Sequence, residues 1–162
     1  MSTKNVIQKN YFDVQSLSTS GGVVRFFDRA VGGMVSKFIT NWLNAKNSLP
    51  KGRTLLLAKV GIDISHSDDT PVTAATLSAI RKGILKIEHN SRIIREYRLS
   101  EFINSPVANR DDLKAGTIFI AFDSPEQINA EVPLDVTVEY PVLPVGVDLC
   151  VNLKGLEEHV IG

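Results

Sequence analysis

The chain has a single cysteine, Cys150, in 162 residues. One thiol cannot close an internal disulfide or build a thiolate metal cluster, so Cys150 reads as a small apolar packing residue. Asn-x-Ser/Thr acceptors are missing too, since Asn104-Ser105-Pro106 fails the pattern. The N-terminal stretch MSTKNVIQKNYFDVQ lacks the apolar core of a secretory signal. No apolar run approaches the ~20 residues that cross a bilayer as a helix. These absences lead us to expect an intracellular product with no membrane partner. Aromatic side chains are also sparse, with one Trp and three Tyr, which leaves few residues for an exposed sugar-binding platform.

Recognisable catalytic motifs are absent as well. No G-x-S-x-G elbow occurs, and His66, His89 and His159 are dispersed without a nucleophile motif beside them. Gly21-Gly22 and Gly32-Gly33 lack both the strand-to-helix setting and the lysine of a phosphate-binding loop. Asp63, His66, Asp68 and Asp69 lie close enough to invite a divalent cation, and so do Asp111-Asp112, but the spacing matches no defined metal loop. Asp68-Asp69-Thr70 is better explained as a helix start. The expectation is therefore no enzyme activity, no cofactor and no metal site.

What the sequence does contain is strand. In PLDVTVEYPVLP, Leu134, Val136, Val138 and Tyr140 alternate with Asp135, Thr137 and Glu139 between bounding prolines, as in a strand with one dry face. TLLLAKVGIDI (Thr54 to Ile64) and TIFIAFD (Thr117 to Asp123) read as buried strands. Ile84 to Glu88 and Ser91 to Arg98 read as a hairpin about HNS. In the stretch from Val23 to Leu43 the Gly32-Gly33 pair interrupts a helical stripe, and two strands meeting at that pair are the preferred reading. Ser67 to Thr70 cap a short helix from Val72 to Ile80, which Gly83 ends. About seven or eight strands, one or two short helices and mostly non-hairpin connections predict an all-β fold, a single jelly-roll or Greek-key β-sandwich. Residues 1–22, polar and ending in SLSTSGG, read as a flexible arm with a short ordered piece at Val14 to Leu17. Residues 23–144 form the sandwich and 145–162 a C-terminal extension.

The formal net charge is zero, yet the positive residues are not evenly spread. Nine Lys or Arg face only Asp13 and Asp28 before residue 61, a surplus of seven that the remainder cancels. Lys4, Lys9, Arg25, Arg29, Lys37, Lys46, Lys51 and Arg53 are candidate contacts to single-stranded RNA, because distributed cations neutralise phosphates by counterion release without reading sequence. Ordinary solvated surface explains the same charges on composition alone.

Four segments give the chain a resemblance to the coat proteins of small plant RNA viruses of the bromovirus and cucumovirus group. They are MVSKFITNWLNAKNSLPKGRTLLLAKVGIDIS, SDDTPVTAATLSAIRKG, REYRLSEFINSPVANRDDLKAGTIFIAFDS and VPLDVTVEYPVLPVGV, which together cover roughly Gly33 to Val147. The resemblance implies a subunit without enzyme activity that assembles with many copies of itself into a virion around single-stranded RNA, in the host cytoplasm. It also implies a C-terminal extension that docks on a neighbour, for which Val145, Val147, Leu149, Val151, Leu153 and Leu156 are the candidate interface residues. Packing of this tail on its own domain is the competing reading. The chain departs from the group in lacking an arginine-rich arm, since residues 1–22 hold only Lys4 and Lys9. A monomeric β-sandwich binding module for a carbohydrate or protein, and a viral movement or accessory protein that binds RNA, are the alternatives.

Overall fold

The computed structural model describes residues 3–30, 37–44, 46–65, 72–103 and 118–161. Among the described residues eight strands are present: β1 (Thr3–Leu17), β2 (Gly22–Phe26), β3 (Arg53–Ser65), β4 (Ile84–His89), β5 (Arg92–Arg98), β6 (Ile118–Ile128), β7 (Leu134–Tyr140) and β8 (Val147–Ile161). A short helix, α1 (Ala74–Ile80), follows β3, and a 3-10 turn at Leu99–Glu101 follows β5. The strands form two antiparallel sheets in the orders β1-β8-β3-β6 and β2-β7-β4-β5. The protein is thus an all-β sandwich. Among the described strands, β4 and β5 are joined as a hairpin within one sheet, and the other consecutive strands lie in alternate sheets.

Alternation accounts for the strands. In β7, Leu134, Val136, Val138 and Tyr140 are buried while Asp135, Thr137 and Glu139 face outward. Each buried side chain of that size contributes about 1.5–3 kcal/mol. Leu85 and Ile87 of β4 extend this layer, and Leu55, Leu57, Val60 and Ile62 of β3 oppose it from the other sheet in a single core. Trp42, from the connection between β2 and β3, is 1% exposed and meets Tyr11 and Phe27 edge-on at 5.1 and 5.3 Å. The expected hairpin forms, and Asn90 and Ser91 both take positive φ (53° and 61°), the conformation of a two-residue type I′ turn.

Four expectations change. Residues 3–17 are not a flexible arm: β1 pairs with β8 over its whole length, from Thr3 opposite Ile161 to Leu17 opposite Val147. Its first residues read as coil because Thr3 to Gln8 are solvent-exposed on both faces, so backbone pairing orders them where no apolar stripe does. The 145–162 segment is not a detached extension, since β8 lies between β1 and β3 in the middle of its own sheet. The second strand expected after the glycine pair does not form in residues 37–44, which are turn and irregular chain with one bridge, Thr40 to Asp13; residues 31–36 lie outside the described ones. Finally, α1 starts later than expected. Thr73 is its N-cap, its hydroxyl accepting from Thr76 N–H, whereas Ser67 to Thr70 lie outside the described residues.

Candidate functional site

Two carboxylates are buried in the β1–β8–β3 sheet, and both recruit cations expected to face RNA. Asp13 accepts the Phe27 N–H at 2.8 Å and has the Arg29 guanidinium 3.6 Å from its other oxygen. Burial raises its carboxyl above the usual range, against the opposing pull of Phe27 N–H and Arg29. The Phe27 bond matters structurally, since this residue directly follows β2 and lies in the left-handed region (φ 57°), a costly conformation for a bulky side chain. Arg29 also donates to the Val14 carbonyl at 2.5 Å. Glu157, wholly buried, accepts from the Tyr11 hydroxyl on one oxygen and from Arg53 at 2.8 Å on the other. Burial, followed by the neighbouring Glu157, pushes the Tyr11 phenol far above its ordinary value, so it stays a donor.

The remaining candidate cations are scattered. Lys4 pairs with Glu158 at 3.6 Å on the edge of one sheet, and Arg25 with Asp135 at 3.7 Å on the outer face of the other. Lys9 lies 5.0 Å from the Tyr11 ring centre and Lys37 5.3 Å from that of Phe38. Lys46 lies in the loop whose carbonyl receives the Trp42 indole N–H, and Lys51 in the turn before β3. The eight candidates therefore do not gather on one surface. Four are held by carboxylates, two of these carboxylates being buried.

Of the candidate interface residues, Val147, Leu149, Val151 and Leu153 are buried in the chain's own core. Val145 and Leu156 are exposed. Exposed apolar side chains lie in separate places: Val6, Leu156 and Val160 on neighbouring strands of one sheet, Val23 and Ile84 on the other, Ile93 beside the hairpin turn, and Val142 with Val145 in the loop before β8. The outward edge of β1 is half covered. Residues 39–41 bond to it from Asn10 to Val14, with Val14 N–H donating to the Ile39 carbonyl and Phe12 N–H to the Asn41 side chain. Among the described residues, nothing pairs with that edge from Lys4 to Gln8.

Surface cavities among the described residues include two of similar size. One, of about 390 Å³, lies under the β4–β5 turn and is lined by His89, Asn90, Arg92, Glu126 and Asn129 among others. His89 accepts the Asn129 N–H at Nε2, and burial lowers its pKa, which favours the neutral ring. The other, of about 350 Å³, opens on the outer face of β3 and β8, with Lys59 and Lys154 at its lining. Among the described residues no cluster of three metal-ligating side chains occurs, and Asp63 is exposed; His66, Asp68, Asp69, Asp111 and Asp112 lie outside them. Cys150 is half-buried rather than core, and burial, with Asp63 nearby, pushes its thiol up to about 11. No described helix is long and apolar enough to cross a membrane.

The sequence reading missed Asp13 and Glu157, whose significance depends on strands far apart in the chain. It counted Lys59 only among the cations before residue 61 and missed Lys154 opposite it, although a lone lysine inside TLLLAKVGIDI was a visible signal that one position of a buried-looking strand faces water. No protein-family model and no curated protein matches the chain.

Proposed function

We propose that the protein is a structural coat subunit, a jelly roll that assembles with copies of itself into a closed shell around single-stranded RNA. The observation that carries this reading is the strand order. Two four-stranded sheets, β1-β8-β3-β6 and β2-β7-β4-β5, with the chain crossing between them at nearly every connection, support the jelly-roll reading. Viral shells, lectins and cupins share that architecture, so fold alone carries an analogy.

The surface favours the shell. A subunit in a closed shell meets neighbours on several sides and needs several contact areas. Exposed apolar side chains at Val23 and Ile84, and at Val142 and Val145, supply them on different parts of the molecule, together with Val6 on the open β1 edge. Of the cations first considered, Lys9, Lys37, Lys46 and Lys51 are outside carboxylate pairs among the described residues and remain available to phosphates.

Size-exclusion chromatography with light scattering, reading absorbance at two wavelengths, tests the proposal. Uniform particles of many subunits carrying nucleic acid are expected. A stable monomer of 17.8 kDa under all salt conditions would instead leave a binding module.

A further inference from the structure

Lys59 of β3 and Lys154 of β8 are directly opposite in register and therefore share a face of the sheet. Both are exposed, and neither is in an ion pair among the described residues. Like charges at such a position stand roughly 5 Å apart at Cβ and destabilise the strand pair. Lys154 is partly steadied by the Phe119 ring, 5.1 Å from its ammonium. The two lysines line the 350 Å³ cavity, whose lining is mostly apolar, with Leu56, Ala58, Pro125 and Leu156, and includes Gln8. The cavity exists because β3 bulges between Leu57 and Lys59 while Gly155, with no side chain, lies against the bulge.

We propose that this cavity is a nucleotide site for single-stranded RNA, in which Lys59 and Lys154 converge on one backbone phosphate and the adjoining base lies on the apolar lining. The proposal rests on the RNA part of the function above and gives it a place that the scattered cations do not. A phosphate removes the repulsion between the ammoniums. A flat base suits an apolar surface of this size, and a side-chain amide meets its polar edge. Contacts of this kind tolerate any base, as non-specific packaging requires.

The test is fluorescence anisotropy of a labelled single-stranded RNA oligonucleotide against the whole chain, the Lys59→Ala/Lys154→Ala double variant and a Lys46→Ala/Lys51→Ala comparator. Trp42 emission verifies that each is folded. The first variant is expected to bind about tenfold more weakly, with the slope of log affinity against log salt reduced by about 0.7, the contribution of the single phosphate that the two lysines share. The comparator should lose less. The site is refuted if the Lys59/Lys154 variant loses no more than the comparator, or if an oligoglutamate peptide competes as well as unlabelled RNA. Absence of RNA binding by the unmodified chain also overturns it, whereas particle formation in the scattering experiment separately decides whether the shell stands.

Discussion

Asp13 and Glu157 are ionisable groups with their side chains shut off from water, and each is offset by an arginine and by hydrogen bonds rather than left bare. For Asp13 the balance remains unfavourable. Its carboxyl is raised by burial, so the folded chain holds the proton at a pH where the unfolded chain has released it. Its contribution is then most favourable in acid and is lost as pH rises through the raised value. Arg29→Ala removes the compensating charge and should destabilise the protein by about 2 kcal/mol at neutral pH. That is below the ~3–5 kcal/mol of a fully buried pair, because the guanidinium is 36% exposed. The penalty should shrink in mild acid as Asp13 becomes neutral. Urea unfolding of both proteins at the two pH values reads this directly, and a penalty that grew on acidification would contradict it. Two of the eight cations assigned to RNA, Arg29 and Arg53, are thus committed to buried carboxylates, a fact hidden from the sequence because their partners are on other strands.

The β3–β8 pair sets the shape of one sheet at the scale of elements. Gly155 lies opposite the bulge, and a Cβ there would stand 1.9 Å from the Leu56 carbonyl oxygen, a backbone atom that cannot swing aside. Gly155→Ala should therefore force the two strands apart and cost about 3 kcal/mol, visible as a lower urea midpoint; an unchanged midpoint would mean that the bulge is soft. Elements with an apolar stripe were legible from sequence. β7 announced itself by strict alternation, β3 by a run of Leu, Ile and Val, and the β4–β5 hairpin by its turn residues. β1 was not, because from Thr3 to Gln8 it buries neither face and its order comes from the backbone of β8. β8 was read as a spare tail for the complementary reason: its alternation was visible, but nothing local says which sheet receives it. The lysine pair escaped notice likewise, since its meaning comes from a register between residues 59 and 154.

At the scale of the whole molecule, β8 joins β1 to β3 and carries Val147, Leu149, Val151 and Leu153 into the core. Deleting residues 147–162 should therefore abolish folding, seen as loss of the buried-Trp42 emission and of cooperative unfolding. A folded, truncated monomer would instead support the exchanged-arm reading of this segment. The same placement governs how the protein is made. β1 has a single neighbour in its sheet, and Tyr11 finds its carboxylate partner 146 residues later in the chain. At a synthesis rate of roughly 5–20 residues per second, β1 waits on the order of ten seconds with the edge that β8 will cover bare. During that interval many nascent copies on one message present the same unpaired strand to one another, so the time between making β1 and making β8 is when this protein most needs a chaperone.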